Sequence, residues 1–511
     1  MSERFRQSMH WLHTWAGLVL GALLFAIFWM GTLAVFDREI DRWMMPKTRV
    51  AMAETVSLDA IARTMHPLAV AAEARRWAIQ MPSERQPTAR AYFDTKTERK
   101  VLHLDPATGR VLAEERTLGA TGFFYPFHFS LFIHHWDLGE WLAGLAALTM
   151  MTTCVSGVVI HRRIFADFFT LRIVRKPQRT TLDLHNVTGV LGLPFNFLIA
   201  FTGLVIFMSV YLPGIRAVLY PNGPAAFAVE AYGTPRVAPT GEKANLASLD
   251  AMVAEARRRW GGGVPATILV FNPGDKAASV FVNQDTSSRV TMDANTVVFD
   301  GSTGRIVAGP HRYSPVMRTF GYLSGMHYAW FRHAALRWLY FLSGLAGCVL
   351  IATGFLFWVQ SRAKRHERHG VRGMALVRGL SVGTTNGIIF ASLMFLVANR
   401  VLPDQPFVMG VPRQWLEVRI FCAAWLFCFV HAWLCPRTAW RDQTLAIAIG
   451  SVVAVALNAV TTGNAVPLSL LSGPWGVAGV DLVLLLTAAI CFGAARKLSR
   501  TGSAQKVGGV R

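Results

Sequence analysis

The sequence predicts a membrane all-α protein with eight transmembrane helices and two duplicated α+β domains, inserted between helices 1 and 2 and between helices 3 and 4. Apolar residues make up 53% of the 511 residues and charged residues only 16%, a composition unlike that of soluble proteins. Eight apolar runs have the roughly 17–25 residues that span a bilayer. The two long segments between the first runs resemble each other, which indicates an internal duplication. The predicted spans are 13–36, 138–160, 186–211, 334–358, 380–398, 418–435, 444–461 and 477–495.

These spans divide the chain into seven segments. The first apolar run is too long for a secretory signal, so we interpret it as a membrane anchor. The segments are helix 1 (1–36), an α+β domain (37–137), helix 2 with a basic loop (138–179), helix 3 (180–211), a second α+β domain (212–333), helix 4 with a basic linker (334–372), and a four-helix C-terminal extension (373–511).

The net charge of +21 is distributed in a way that indicates membrane topology rather than nucleic-acid binding. Basic residues cluster before helix 1, at Arg162–Arg179, at Arg362–Arg372 and after Arg496. These are the ends that share one side of the membrane if eight spans alternate. The positive-inside rule then places both termini in the cytoplasm. We expect a bacterial inner membrane, with both α+β domains in the periplasm.

The six cysteines lie in or at the edge of predicted spans, and none forms a C-x-x-C motif. The two long outer segments contain none, so no disulfide framework is expected there. Thiol chemistry is therefore not expected.

The duplication is visible in matched motifs. SLDA begins at Ser57 and again at Ser248, and each copy opens an amphipathic helical stretch. DPATGRVLA at 105–113 matches DGSTGRIVA at 300–308, and both patterns predict a strand, a tight turn and a strand. Because each repeat contains two spans, the repeats cross the membrane in parallel. A pseudo-twofold axis along the membrane normal then brings equivalent residues to equal depth.

Two histidines occupy equivalent places in the repeats. His13 and His185 each precede a glycine by four residues and a second glycine by 18. Imidazoles on different helices at one depth suit ligation of a haem from both faces, and small residues nearby leave room for a flat macrocycle. A single histidine at a helix end is usually interfacial, and glycines also serve close helix packing. The matched register favours a haem. The nearby glycines are Gly17, Gly21, Gly189 and Gly192.

A second pair, His128 and His327, precedes Trp141 and Trp338 by 13 and 11 residues. We call His13 and His185 the inner pair, and His128 and His327 the outer pair. The outer pair would ligate a second haem. At about 1.5 Å per residue, His128 lies about 20 Å beyond the start of the span at Trp141, so this haem would sit at or above the interface unless the helix breaks or tilts. His134 is the alternative ligand.

Further histidines are secondary candidates. His161 could replace a member of the inner pair or contact a haem propionate, although its repeat counterpart is Trp358. His135 and His333, like His134, could substitute for an outer ligand or contact substrate. Six further histidines are expected to be solvated or interfacial rather than ligands: His66, His103, His311, His366, His369 and His431.

Four motifs make the chain similar to the PepSY-associated transmembrane family. They are LHTWAGLVLG near the start, FHFSLF at 127–132, SGVVIHRRIFADFFTLR at 156–172 and LDLHNVTGVLGLPF at 182–195. The resemblance covers residues 1 to about 362, where the stretch from His327 to Trp358 completes it, and excludes the four later spans. Asn196 departs from the family pattern, in which a histidine often follows LPF.

The best understood members of that family resemble ferric-siderophore reductases. The resemblance implies a four-helix core with two b-type haems and PepSY-like periplasmic domains. Electrons would pass from the cytoplasmic side to a ferric siderophore or another Fe(III) chelate outside. The only glycine cluster, Gly261–Gly263, lacks the strand–helix context of a dinucleotide site. We therefore expect a quinol or a cytoplasmic partner protein as the electron donor.

Two other functions remain open. A transporter for the siderophore or metal is one, but the first four apolar runs contain no lysine and, apart from Glu140 near the start of the second run, no acidic residue, whereas ion-coupled carriers usually need such residues. A non-catalytic protein whose PepSY-like domains bind peptides or regulate a protease is the other. That function leaves the matched histidines unexplained.

Overall fold

The structure, a computed structural model, describes residues 2–95, 99–161, 177–221, 223–235, 237–370, 373–473 and 475–507. Most of the basic loop after His161 lies outside these ranges, as does the end of the motif at 156–172. The helices of the first repeat are α1 (Glu3–Ala34), α2 (Asp37–Met44), α3 (Leu58–Ala71), α4 (Tyr125–Ser130) and α5 (Leu138–Ile160).

The second repeat and the extension contain the remaining helices. They are α6 (Pro177–Leu191), α7 (Leu193–Ile206), α8 (Met208–Tyr211), α9 (Pro213–Leu219), α10 (Pro224–Tyr232), α11 (Leu249–Arg259), α12 (Pro315–Tyr328), α13 (Ala334–His369), α14 (Met374–Val401), α15 (Arg413–Leu434), α16 (Ala439–Thr462), α17 (Val466–Ser472) and α18 (Trp475–Val507). The strands are β1 (Arg76–Gln80), β2 (Ala89–Asp94), β3 (Arg99–Leu104), β4 (Val111–Glu114), β5 (Pro265–Phe271), β6 (Ser279–Gln284), β7 (Thr296–Asp300), β8 (Ile306–Ala308), β9 (Phe407–Val408) and β10 (Val411–Pro412).

The helices bear out a multi-pass membrane protein. In the described ranges, seven are long and apolar enough to cross a bilayer, and α6 with α7 forms an eighth span if that bent pair is one crossing. The single helix predicted over 186–211 is wrong, because α6 and α7 meet at an angle of 61°. The break is at Gly192, two residues before Pro194. Proline has no backbone N–H and clashes with the carbonyl four residues earlier, which bends a helix.

The described chain forms two compact units. The membrane unit comprises Met1–Met44, Arg116–Leu204 and Arg337–Arg511, and the sheet unit comprises Met45–Glu115 and Val205–Leu336. The predicted first α+β domain, 37–137, therefore loses both of its ends to the membrane unit. At the first end, buried Trp43 donates from Nε1 to Asp481 Oδ1 at 2.7 Å. At the second end, Phe123 and Phe124 belong to the membrane unit's apolar core.

In the sheet unit, the two duplicated α+β segments share one sheet, so they do not form two separate domains. Its strand order is β4-β3-β2-β1-β5-β6-β7-β8, and every neighbouring pair is antiparallel. The first strands of the two repeats pair at the centre, with Ala78 opposite Leu269. Apolar residues of both central strands enter one core with α3 and α11. A three- or four-stranded sheet has a long exposed edge, and pairing the repeats removes one edge from each.

The repeated SLDA motif makes reciprocal helix caps. Asp250 of α11 accepts hydrogen bonds from Leu58 N (2.8 Å) and Asp59 N (3.1 Å) at the start of α3. Asp59 in turn accepts from Leu249 N (2.7 Å) and Asp250 N (3.3 Å). Each carboxylate thus satisfies N–H groups that a helix N-terminus leaves unpaired and lies at the positive end of the other helix's dipole.

The predicted hairpin turns are confirmed in both repeats. Asp105 Oδ1 accepts from Thr108 N at 2.9 Å, and Asp300 Oδ1 accepts from Thr303 N at 2.8 Å. Gly109 and Gly304 follow with φ of +70° and +72°, a conformation that glycine adopts without steric penalty.

A charged cluster lies at the edge of the same sheet. Arg90 donates to both oxygens of Glu115, from Nε at 2.7 Å and Nη2 at 3.2 Å. His103 Nε2 donates to Glu115 Oε1 at 2.9 Å, and its Nδ1 lies 2.7 Å from Thr88 Oγ1. Burial opposes ionisation of Glu115, but the charge of Arg90 and the hydrogen bonds outweigh it and lower the pKa of this carboxyl to about 2.

Replacing Asp59 or Asp250 with alanine removes one of the reciprocal caps. We expect each change to lower the unfolding free energy of the sheet unit by about 1–2 kcal/mol, the usual effect of losing an N-cap. The double variant should lose less unfolding free energy than the two single variants added together, because the two caps support one interface. Amide hydrogen exchange of α3 and α11 measures this, and Glu54→Ala, an exposed acid, is the control. Equal exchange in all variants would contradict the capping role.

The Glu115 cluster predicts a specific acid sensitivity. Since folding lowers the pKa of Glu115 from 4.5 to about 2, its contribution is fully present above pH 4.5 and is lost as the pH falls towards 2. That contribution is about 3 kcal/mol. The difference in unfolding free energy between wild type and Glu115→Gln should therefore shrink over that window. A constant difference would show that Glu115 does not titrate with folding.

Candidate functional site

His13 and His185 meet inside the membrane unit. His13 lies on α1 and His185 on α6, and their ring centroids are 6.2 Å apart with an interplanar angle of 87°. The pairing that the sequence repeat predicted is therefore present in the structure.

Each ring of the inner pair is oriented by a helix of its own repeat. His13 Nδ1 donates to the Thr153 carbonyl on α5 at 3.1 Å and lies 3.2 Å from Ser156 Oγ. A carbonyl oxygen can only accept, so the proton is on Nδ1 and Nε2 keeps its lone pair. Metal-bound histidines usually carry this second hydrogen bond, which fixes both the tautomer and the ring orientation.

The second repeat reproduces the arrangement. His185 Nδ1 donates to the Leu350 carbonyl on α13 at 2.9 Å, and Thr353 Oγ1 lies 3.4 Å away. Leu350 and Thr353 each follow their first-repeat counterparts, Thr153 and Ser156, by 197 residues. The duplication therefore extends to the hydrogen-bond partners.

Glycines leave space beside both rings, but they are not the ones predicted. A Cβ on Gly157 would lie 3.4 Å from His13 Cε1, and a Cβ on Gly354 would lie 3.4 Å from His185 Cε1. The predicted four differ. Gly17 has no atom within 4 Å of such a Cβ, Gly21 faces Phe355, Gly189 faces Leu350, and Gly192 lies at the break between α6 and α7.

The spacing of the inner pair fits one metal ion between the two rings. A transition metal bonds imidazole nitrogen at about 2 Å, and the ring centre lies about 1 Å further, so two rings on opposite faces of one iron have centroids about 6 Å apart. The observed 6.2 Å agrees. No group of three or more His, Cys, Asp or Glu side chains suited to a metal occurs within the described ranges, so paired histidines are the ligand set to consider.

His128 lies on α4, which is packed against α1 within the membrane unit. Its Nδ1 donates to the Ile27 carbonyl at 2.8 Å, and a Cβ on Gly31 would lie only 2.5 Å from that nitrogen. Ile27 follows His13 by 14 residues on one helix, about 21 Å along its axis. The chain reaches this depth because the helix breaks after α4, where Leu131 and Phe132 have φ of 52° and 60°. The break removes the geometric objection to His128 as a ligand.

His327 belongs to the sheet unit and repeats the local structure of His128. It lies in the last turn of α12, and Ala329 ends that helix with φ of 51°. Leu131 ends α4 in the same left-handed conformation.

The remaining candidates are placed differently. His161 caps the end of α5, and its buried Nδ1 has no hydrogen-bond partner among the described residues. Its repeat counterpart Trp358 likewise has a buried Nε1 with no described partner. His134 and His135 are exposed on the turn before α5, and His333 is exposed in the sheet unit. The outward position of His134 makes it a poorer ligand candidate than His128.

His161 Nδ1 and Trp358 Nε1 occupy equivalent positions in the two repeats, and both are also suited to contact a haem. They lie one helical turn beyond Gly157 and Gly354, next to the inner pair. Haem carries two carboxylates, and ring N–H groups are donors for such oxygens. Asn196 is also buried, and neither atom of its carboxamide has a partner in the described chain.

The orienting groups were largely hidden in the sequence. Thr153 and Leu350 act through backbone carbonyls, which leave no residue signature. Ser156 and Thr353 were visible as a Ser-Gly and a Thr-Gly at matched distances from the preceding tryptophans. Their repeat position is the signal from which the helices facing the histidines could have been found.

The chain is similar to known proteins over most of its length. The PepSY-associated TM region matches residues 10–361, a range that contains both histidine pairs and ends before the C-terminal extension. Uncharacterized protein PA4219 of Pseudomonas aeruginosa is 28% identical over 378 residues, which cover 71% of this chain and 91% of that relative.

Gly31→Ala tests the setting of His128. The new Cβ would lie 2.5 Å from Nδ1, so the ring has to move and lose its bond to Ile27. We expect a lower melting temperature of the membrane unit and an altered histidine nitrogen signal by NMR. Gly17→Ala on the same helix faces open space and is the matched control. Equal behaviour of the two variants would contradict the close fit.

Proposed function

Since the chain belongs to the family of the PepSY-associated TM region, we propose that it is a di-haem electron-transfer protein that reduces a ferric siderophore or another Fe(III) chelate. The observation that carries the proposal is the inner pair, whose centroid separation of 6.2 Å would allow both imidazoles to bind one haem iron. The family resemblance supplies the substrate class. A bacterial inner membrane with cytoplasmic termini is part of the same proposal and rests on the positive-inside pattern.

The protein's own residues would hold the inner haem rigidly. The carbonyls of Thr153 and Leu350 fix the Nδ1 proton, so that each Nε2 is presented as the basic nitrogen. Gly157 and Gly354, which have no side chain, leave room for the two rings beside α5 and α13. His161 and Trp358 would donate to the propionates. Two fixed nitrogen ligands support one-electron exchange between ferric and ferrous iron, which is the chemistry that such a group supplies when bound.

The outer haem would use His128 as a ligand. His128 has its Nδ1 held by the Ile27 carbonyl, the same device that orients the inner pair. His327 is its counterpart in the repeat. A second site about 21 Å along α1 from His13 would extend electron transfer across the membrane.

The reaction balances with one-electron steps. A quinol would be oxidised to the quinone, releasing its two protons to water, and each of its two electrons would reduce one Fe(III) in its chelate to Fe(II). A cytoplasmic reductant would supply the same two electrons. The lower charge weakens binding to hard oxygen ligands, which releases the metal for uptake. The protein supplies the route, and the chelate accepts the electrons.

Buried acids in the C-terminal spans do not favour a transporter. Asp481 accepts from Trp43 Nε1 and from Asn458 Nδ2 at 3.0 Å, and Glu417 accepts from Arg413 and Asn399. These carboxylates are engaged in packing between helices, whereas transport sites usually place such groups along a water-filled pathway.

Absorption spectroscopy of the purified protein, oxidised and then dithionite-reduced, tests the proposal. We expect a b-type spectrum with two haems per chain. His13→Ala and His185→Ala should each remove one haem, the same one, and His128→Ala the other, because a lost axial ligand releases or alters its iron. The haem-loaded, reduced protein should be reoxidised by an Fe(III) chelate.

His10→Ala is the matched control, since His10 is an exposed histidine on the same helix as His13. It should keep both haems. A folded wild-type preparation without haem would overturn the proposed function, and bound haem that no Fe(III) chelate reoxidises would overturn the substrate class.

A further inference from the structure

We propose that the C-terminal helices α14 and α15 position His128, and thereby set the outer haem site. The inference rests on the proposed function and assigns a role to spans that lie beyond the family match, which ends at residue 361. Its basis is the contact of these helices with the aromatic segment, which we define as residues 116–132 and which carries His128. All the residues involved belong to the membrane unit.

One face of the aromatic segment packs against rings of the extension. Phe123 lies 4.9 Å from Phe395 on α14 and 5.0 Å from Phe421 on α15, measured between ring centroids. Phe127 lies 5.8 Å from Phe421 and 5.9 Å from Trp425. Aromatic pairs at these separations stabilise a particular geometry beyond the area that they bury. Because His128 directly follows Phe127, moving these rings moves the histidine.

The start of the aromatic segment is held by a buried carboxylate. Glu417 is fully buried and accepts from Arg413 Nη1 at 2.6 Å and from Asn399 Nδ2 at 2.9 Å. Thr117 Oγ1 donates to its other oxygen. A buried charge without partners is strongly unfavourable, so this site specifies where Thr117 must lie.

Arg413, the positively charged partner of Glu417, also holds the start of the aromatic segment. Its Nη1 donates to the Arg116 carbonyl at 3.2 Å, its Nη2 to the Asn399 carbonyl at 2.6 Å and its Nε to the Pro403 carbonyl at 3.0 Å. Arg116 itself donates to the Asp404 carbonyl at 2.7 Å. The extension therefore holds both the backbone and the side chains where the aromatic segment begins.

On its other side, the aromatic segment contacts α1, where His128 Nδ1 donates to the Ile27 carbonyl. Helix α14 also contacts α1 directly, since Trp29 Nε1 donates to Ser392 Oγ at 3.0 Å. Segment 116–132 is thus held between α1 and the extension. The helical stretch 120–130, in which the π-helix Ala120–Phe124 continues directly into α4, is too short to be stable alone, so it depends on these two surfaces.

Two substitutions weaken the contact without touching a ligand. Phe395→Ala opens a cavity against Phe123, and Thr117→Val removes the hydroxyl donor to Glu417 while keeping the side-chain volume. We expect faster amide exchange over 120–130, and a shifted midpoint potential or loss of the haem that His128→Ala removes. The haem that His13→Ala removes should be unchanged. Phe395→Leu should restore most of the wild-type behaviour.

Leu393→Ala is the matched control, because Leu393 is buried on the same helix and faces Gly450 of α16. If it changes the outer haem as much as Phe395→Ala does, or if neither test variant changes exchange and potential, the positioning role is wrong. Amide exchange does not require haem. A haem-free wild type whose segment 116–132 still loosens in the test variants would therefore sink the proposed function but not the mechanical coupling.

Discussion

The hydrogen bond from a histidine Nδ1 to a helix carbonyl is the interaction on which the site depends. It occurs at His13, at His185 and at His128, and in each case the acceptor is a backbone oxygen within a long helix. A typical hydrogen bond contributes about 1 kcal/mol, whereas a buried polar atom left unpaired costs about 1–3 kcal/mol. The bond therefore determines ring orientation more than it adds stability. It also selects the tautomer that leaves Nε2 as the basic nitrogen.

Because of the duplication, the same histidine-to-carbonyl hydrogen bond occurs between α1 and α5 and again between α6 and α13. Thr153 and Leu350 are repeat counterparts, as are Gly157 and Gly354, and the distances to their histidines agree closely. In the sheet unit, the same duplication produces reciprocal caps through Asp59 and Asp250. The duplicated sequence thus supplies a matched pair of contacts in each unit: the histidine-to-carbonyl bonds in the membrane unit and the helix caps in the sheet unit.

Features of the fold that depend on local sequence could be predicted from the sequence. The apolar runs, the hairpin turns and the pairing of His13 with His185 all follow from periodicity and repeat register. The joining of two α+β segments into one sheet did not, because a strand sequence does not state which edge it pairs with. The return of His128 to the depth of Ile27 could be anticipated only as an exception that requires a broken or tilted helix. It depends on left-handed backbone at Leu131 and Phe132, where no glycine in the sequence marks the turn. Pro194 is the visible cue for the bend between α6 and α7, although it lies inside the single span predicted over 186–211.

Electron paramagnetic resonance of the oxidised protein tests the central claim most directly. Perpendicular axial imidazoles give ferric haem a highly anisotropic low-spin signal, whereas parallel ones give an ordinary rhombic signal. The interplanar angle of 87° between His13 and His185 predicts that a haem bound by this pair, as proposed, would give the anisotropic signal. A high-spin signal from that haem, or a folded protein with no haem signal, would contradict axial ligation by the inner pair.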